Sequence, residues 1–273
     1  MNVLSLFDGI SAGQVALERA EIKVDNYYTS EIDKYAIQVT MKNYPNTIQV
    51  GDVVNLDSST LPKIDLLIGG SPCQSFSIAG NGMGFDGKSG LFYEYVRLLK
   101  ECNPKYFLLE NVKMKKEWED AISNLLGVKP IEINSNLVSA QNRKRLYWTN
   151  IPDIQIPEDK KILLKDIISY NREWRELGKW VYSKWGNITK LDRLKVLKSD
   201  KSSCLTTSKT HPANYYLNDE RNKYSNLTSS EAEILQTFPI DYTLGIPEGK
   251  RFHALGNSWT VDVIAHIFKN LQL

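Results

Sequence analysis

Three cysteines and three histidines are all that this chain of 273 residues carries. Cys73, Cys102 and Cys204 lie far apart and are odd in number. That excludes a disulfide framework and fits a reducing compartment, so a cytoplasmic location is expected. The histidines have no ligand-like spacing, and no metal is expected. No apolar run approaches the roughly 18 residues of a membrane span. The run Val3-Leu4-Ser5-Leu6-Phe7 passes straight into Asp8-Gly9, too short for a secretory signal. No membrane partner is therefore expected. Internal repeats and low-complexity tracts are also missing, and the net charge is only +2.

What is present suits a globular chain: 42% of residues are hydrophobic and 10% aromatic, enough for one large domain with a smaller insert. The charge is unevenly spread. Residues 160–225 hold 15 lysines and arginines against 7 acids, so the rest of the chain is slightly acidic. The same segment carries Trp174, Trp180, Trp185, Tyr170, Tyr182, Tyr215, Tyr216 and Tyr224. Basic residues interleaved with aromatics are a footprint for a polyanion.

The first 150 residues alternate strand-like and helix-like runs. Val3–Phe7, Val24–Thr29, Ile48–Val50, Ile64–Ile68, Tyr106–Leu109, Ile131–Val138 and Leu146–Trp148 read as strands. Gly13–Ala20, Lys34–Lys42, Leu91–Cys102 and Lys116–Leu126 read as helices between them. This rhythm predicts an α/β fold, a mostly parallel sheet with helices on both faces. It stops after Ile151-Pro152 and Ile156-Pro157, and helical pattern returns at Ser230–Gln236 and Val261–Leu271. The expected organisation is a catalytic and cofactor-binding domain over 1–155 and 230–273, with a small loop-rich domain over 156–229.

Gly69-Gly70-Ser71-Pro72-Cys73-Gln74 follows the apolar run Ile64–Ile68. In parallel sheets, chemistry sits in the loops after the carboxyl ends of strands. Cysteine there suits nucleophilic attack on an electron-poor carbon. Phe7-Asp8-Gly9-Ile10-Ser11-Ala12-Gly13 joins the first strand to the first helix with a Gly-x-x-x-Gly spacing, not the Gly-x-Gly-x-x-Gly of dinucleotide sites. Glu31 and Asp52 stand at the next two strand ends. Acids at three successive strand ends line a nucleoside that has no pyrophosphate to neutralise. They fit the positive sulfonium of S-adenosylmethionine better than NAD.

These residues resemble the DNA (cytosine-5)-methyltransferases. Gly-Gly-Ser-Pro-Cys-Gln resembles that family's catalytic loop, Phe7-Asp8-Gly9 its cofactor motif, and Glu110-Asn111-Val112 its Glu-Asn-Val motif. Gln141-Asn142-Arg143-Lys144-Arg145 is similar to its Gln-x-Arg-x-Arg motif. Leu227-Thr228-Ser229-Ser230-Glu231 and Leu235-Gln236-Thr237-Phe238-Pro239 resemble the helix flanking its recognition region, and Gly256-Asn257-Ser258 its last motif. Gly90-Leu91-Phe92-Tyr93-Glu94-Tyr95 and Ser258-Trp259 look most like the animal de novo branch, in a minimal prokaryotic or phage version. The resemblance implies a class I S-adenosylmethionine-dependent methyltransferase fold, Rossmann-like, with a mostly parallel seven-stranded sheet and a target-recognition domain.

It also implies roles. Cys73 would add to C6 of cytosine, and Glu110 would hydrogen-bond at N3 as the ring takes up charge. Arg143 and Arg145 would brace the loop, the base carbonyl and the phosphate backbone. Phe7, Asp8, Gly9, Ile10, Glu31, Ile32, Asp52, Val53, Pro72, Leu91, Asn257, Ser258 and Trp259 would hold S-adenosylmethionine, with S-adenosylhomocysteine as product. The partner would be double-stranded DNA, from which the base is flipped. Gln74, Ser75, Ser208, Lys209 and Asn214 would contact it, and the glycine-rich 80–90 segment would act as a lid. The animal enzymes have an arginine after the paired threonines, whereas Thr206-Thr207 is followed here by Ser208-Lys209. This difference leaves the target sequence open. The rival readings are a tRNA-directed relative, whose Cys-Phe-Thr tripeptide is absent, and a catalytically silent DNA-binding homologue. A restriction endonuclease partner and the oligomeric state are not legible in the sequence.

Overall fold

The computed structural model describes residues 1–72, 90–169, 172–176, 200–218 and 223–272. They form two compact units. One comprises Met1–Asn134, Lys144–Pro157 and Val261–Leu273, the other Ser135–Arg143 and Glu158–Thr260.

The first unit contains a seven-stranded sheet: β1 (Asn2–Leu6), β2 (Asn26–Ser30), β3 (Ile48–Gln49), β4 (Leu66–Gly69), β5 (Tyr106–Val112), β6 (Ile131–Asn134) and β7 (Lys144–Thr149). Their spatial order is β3-β2-β1-β4-β5-β7-β6. All pairings are parallel except those of β7, which runs antiparallel to β5 and β6. The expectation of a mostly parallel seven-stranded sheet holds. Its helices are α1 (Ala12–Arg19), α2 (Lys34–Asn43), α3 (Phe92–Cys102) and α4 (Lys116–Leu126), joined by a last one at Val261–Phe268. The runs that read as continuous apolar strands are those buried on both faces, as parallel strands are. Leu4, Leu6, Leu67, Leu109 and Trp148 are fully or almost fully buried, with Phe92, Tyr95 and Leu98 of α3 packed on them. Each such side chain stabilises the fold by about 1.5–3 kcal/mol. Trp148 also satisfies its indole N–H, which donates to Ser123 Oγ at 2.9 Å.

Two glycines explain close packing in this unit. A Cβ on Gly13 would lie 2.5 Å from both Ile68 Cδ1 and Tyr27 Oη, so the ends of those two side chains would have to shift. A Cβ on Gly69 would stand 3.0 Å from Leu6 O and from the Tyr95 ring.

The second unit holds a three-stranded antiparallel sheet of β8 (Arg175–Glu176), β9 (Tyr215–Asn218) and β10 (Lys223–Asn226), with β10 central. Helix α5 (Ser229–Leu235) starts at a capping box, in which Thr228 and Glu231 satisfy one another's backbone amides. Helix α6 (Glu248–Asn257) follows, and the helix at Val261–Phe268 is therefore α7. Buried ion pairs hold this unit where apolar residues are few. Arg172 grips Glu231 with both terminal nitrogens, at 3.2 and 3.1 Å, and Arg251 reaches Glu233 at 2.9 Å. The strand expected over 131–138 ends early, at Asn134. Ser135 turns away because its amide donates to Arg143 O at 3.0 Å and a 3-10 turn, Ser135–Leu137, follows.

Candidate active site

Strand β1 pairs with β2 on one side and β4 on the other, so the sheet's order reverses at its carboxyl end. Crevices at such switch points take ligands in open α/β sheets. The chain leaving β1 is held in an unusual shape: Phe7, Gly9 and Ser11 all have positive φ, at 55°, 60° and 57°. A left-handed conformation costs a residue with a side chain on the order of 1–3 kcal/mol and is commonest at functional turns. Its stabilisation is local. Asp8 accepts from the Ser11 hydroxyl and, at 3.0 Å, from Tyr27 Oη. Burial pushes the Asp8 carboxyl up to about 6, against the pull of these hydroxyls, and the nearby Glu31 charge adds to the rise.

Glu31 closes the turn from β2. Its Oε2 accepts from Gly9 N at 2.8 Å, while Oε1 accepts from Ile32 N at 2.7 Å and Asp33 N at 2.8 Å. Asp33 in turn caps α2 through Tyr35 N at 2.8 Å. Asp52 follows Gly51, whose φ of 82° suits glycine alone, and its Oδ1 accepts from Val54 N at 3.1 Å. Asp8, Glu31 and Asp52 thus sit at successive strand ends of one unit, and no ion pair among the described residues involves any of them. Next to Glu31, the Ile32 side chain is 74% exposed, while Ile10 and Val53 are buried in the fold. Acidic groups without cations, beside an exposed apolar side chain, suit a positively charged nucleoside and not a pyrophosphate.

Across β4 and β5 lies the second part. Glu110, on β5, is 8% exposed, and its Oε1 is 2.9 Å from Arg145 Nε on β7. The antiparallel register sets this contact: Glu110 pairs with Tyr147 and Val112 with Arg145. Asn111, 1% exposed, donates through Nδ2 to Ser71 Oγ at 3.2 Å and to Ser71 O at 3.4 Å. It fixes the stretch just before Pro72, which is half-buried like Leu91. Cys73, Gln74, Ser75 and the 80–89 part of the expected lid lie outside the described residues. Asn111 stood out in the sequence only as the middle of the Glu-Asn-Val motif, and nothing there signalled its tie to Ser71.

In the second unit, Arg143 is 3% exposed and its guanidinium points at backbone. Its Nη2 donates to Ser258 O at 2.7 Å and Gly256 O at 3.2 Å, and its Nη1 lies 3.3 Å from Cys204 Sγ. Asn257 is exposed, whereas Ser258 and Trp259 are nearly buried. Asn214 is fully buried and accepts from Thr206 N at 3.1 Å while donating to Ser208 O at 2.8 Å. Its amide shapes the 206–208 loop. Ser208 itself is exposed, and Lys209 lies 3.2 Å from Glu248 Oε1, both side chains about 40% exposed. Gln141 and Gln236 join these parts. Gln141 Oε1 accepts from Leu205 N at 2.7 Å, and Gln236 Nε2 donates to Leu255 O at 2.7 Å. Both glutamines were visible as motif residues, but not as this buried network. No helix of the described residues is long and apolar enough to cross a membrane, and they hold no cluster of potential metal ligands.

Comparison with known proteins bears on this arrangement. The family model for C-5 cytosine-specific DNA methylases matches residues 1–151 and 136–273. The chain is 29% identical over 306 residues to the type II methyltransferase M1.ScrFI of Lactococcus lactis subsp. cremoris, covering 98% of this chain and 77% of that one. It is 36% identical over 204 residues to the orphan methyltransferase M.SPRI of Bacillus phage SPR, covering 64% of this chain and 46% of the phage protein. Among solved structures, the S. pombe Dnmt2 methyltransferase has a similar fold, with a TM-score of 0.75 and 22% identity over 98% of this chain and 97% of that one.

Proposed function

The chain belongs to the C-5 cytosine-specific DNA methylase family, and from that premise we propose that it transfers a methyl group from S-adenosylmethionine to C5 of a cytosine flipped out of duplex DNA. The observation that carries the reading is the junction of β4, β5 and β7. There a buried Glu110 is held by Arg145, and its neighbour Asn111 anchors Ser71, two residues before Cys73.

The methyl donor fits the acidic strand ends described above. Glu31 keeps one acceptor direction on Oε2 for a ribose hydroxyl. Ile32 offers apolar surface to adenine, and Asp8 and Asp52 supply further polar groups, while Asn257 is assigned to the cofactor by the family resemblance. Bound there, S-adenosylmethionine supplies the electrophilic methyl group that C5 takes up. The protein's own work is to make C5 nucleophilic. The Cys73 thiolate forms a bond to C6, and the C5–C6 π pair moves toward C5 and the N3 side of the ring. Glu110, held at Oε1 by Arg145, takes up a proton at its other oxygen and donates it in a hydrogen bond to N3, which stabilises the negative charge arriving there. After methylation the C5 proton is lost to a base, the C5–C6 double bond re-forms, and Cys73 leaves as thiolate.

Residues 156–229 are assigned to target recognition. Lysines and arginines of this segment, apart from Arg172, which holds Glu231, grip phosphates, and Ser208 and Lys209 read bases. Asn214 acts behind them by holding their loop. Bacterial and phage relatives, and a DNA substrate, support a cytoplasmic site of action in a prokaryotic cell. Bisulfite or nanopore sequencing of DNA from cells expressing the chain tests the reading. Methylated cytosines in a defined motif are expected, and an unmodified genome would contradict it.

A further inference from the structure

The segment Cys204–Ser208 and the end of α6 are tied together, and Arg143 bonds to both. Gly256 allows the contact: a Cβ there would lie 2.5 Å from Thr206 C and 2.6 Å from Thr207 N, so helix and loop meet backbone to backbone. Arg143 bridges them with a planar fork, one nitrogen on Ser258 O and Gly256 O, the other on Cys204 Sγ. Gln141 and Gln236 repeat the bridge behind it. Gln141 takes Leu205 N and donates to Gln236 Oε1 at 3.1 Å, and Gln236 donates to Ser258 O at 3.1 Å. Asn214 also holds Thr206 and Ser208. Buried, hydrogen-bonded groups of this kind do not deform gradually, because each broken bond leaves a buried polar group unsatisfied.

We propose that Arg143 is a positioning residue that couples target recognition to cofactor binding, by making the DNA-reading loop 206–209 and the cofactor segment 257–259 move as one body. The inference rests on the reading above, in which Lys209 meets DNA and Asn257 meets S-adenosylmethionine. A ligand that fixes one end of a rigid block lowers the ordering cost for the ligand at the other, and the effect must be reciprocal. This role differs from a phosphate contact, since the guanidinium of Arg143 is 3% exposed and turned to carbonyls.

The test is a thermodynamic cycle on the full chain. Its probes are S-adenosylhomocysteine and a short duplex carrying the sequence that the wild type methylates. Each is titrated with and without a saturating amount of the other. The wild type should show a coupling factor of about 5 or more, and Arg143→Lys should reduce it below about 2, since an ammonium cannot span both sets of acceptors. Asn214→Ser, which loosens the same loop, should also lower the factor and serves if Arg143→Lys does not fold. A wild-type factor near one, or an undiminished factor in a folded variant, overturns the proposal. The underlying reading has its own arms. If Asn257→Ala leaves S-adenosylhomocysteine affinity unchanged, or Lys209→Ala leaves duplex affinity and sequence preference unchanged, that reading fails, whatever the coupling.

Discussion

Arg145 Nε lies 2.9 Å from Glu110 Oε1, and the two side chains meet across the antiparallel β5–β7 pair with only 14% and 11% of their surface exposed. Removing one member of a buried pair leaves the other charge uncompensated, at a cost of about 3–5 kcal/mol. Arg145→Ala should therefore lower the urea midpoint clearly, and Glu110→Gln added to it should recover part of the loss. Glu110→Gln alone should slow methyl transfer about 100- to 10,000-fold, the range of a general acid–base group. Single-turnover assays at saturating cofactor measure this. A variant with wild-type rate would remove Glu110 from the chemistry.

Glu31 accepts three backbone amides at 2.7–2.8 Å, and the proposed function gives it a second duty toward the ribose. Losing a partner for buried groups costs about 1–3 kcal/mol. Glu31→Ala should weaken S-adenosylhomocysteine binding roughly 5- to 100-fold and also lower Tm, because the Phe7–Ser11 turn loses its clasp. Calorimetry and thermal melts separate the two effects. An affinity equal to wild type would show that the carboxylate serves the turn alone.

Asp8 should make stability depend on pH. Its folded-state carboxyl titrates near 6 instead of 3.8, chiefly because of burial. The stability favouring the protonated form is fully present below pH 3.8 and is lost as pH rises through about 6. That shift corresponds to roughly 3 kcal/mol at most. Asp8→Asn cannot ionise, so its stability relative to wild type should improve between pH 4 and pH 7. Urea titrations at several pH values test it. A stability difference that stays constant across that window would contradict the burial argument.

Specificity and affinity should separate in the second unit. Changing Ser208 or Lys209 should alter which sequences are methylated, since one good base contact discriminates by about 1–3 kcal/mol. Lys184 and Lys195, which lie outside the described residues, should instead affect all duplexes alike. Each phosphate that a variant no longer neutralises makes the slope of log K against log salt shallower by about 0.9. Methylome sequencing and salt titrations distinguish the classes. Were the Ser208 and Lys209 variants to keep the wild-type motif, the reading loop would have to lie elsewhere.

The sheet was legible because its strands are short apolar runs ending in glycine or acid, and two-sided burial writes itself into composition. In the second unit only helix α5 was legible, for an equally physical reason. Helix α6 turns only Arg251, Phe252 and Leu255 fully inward, contains Gly249 and Gly256, and shows no sustained apolar stripe. Strands β9 and β10 are four residues each and rich in tyrosine, lysine and asparagine. Arg143 was expected at DNA from the family resemblance of its motif, and Asn214 from its place just after the paired threonines. Arg143 is buried by partners 61 to 115 residues away, which no local pattern records, whereas Asn214 bonds the loop six to eight residues before it. Glu110 was readable from its motif, but its hold on Arg145 required the β5–β7 register.

The central claim is that Cys73 attacks a cytosine ring, and a duplex with 5-fluorocytosine at the target position tests it most directly. Fluorine at C5 cannot leave as a proton does, so the enzyme should stop with its sulfur on C6. With S-adenosylmethionine present, a denaturation-resistant adduct is expected on the peptide containing Cys73, and none with Cys73→Ala. An adduct on another residue, or none under conditions that methylate ordinary DNA, would contradict the account.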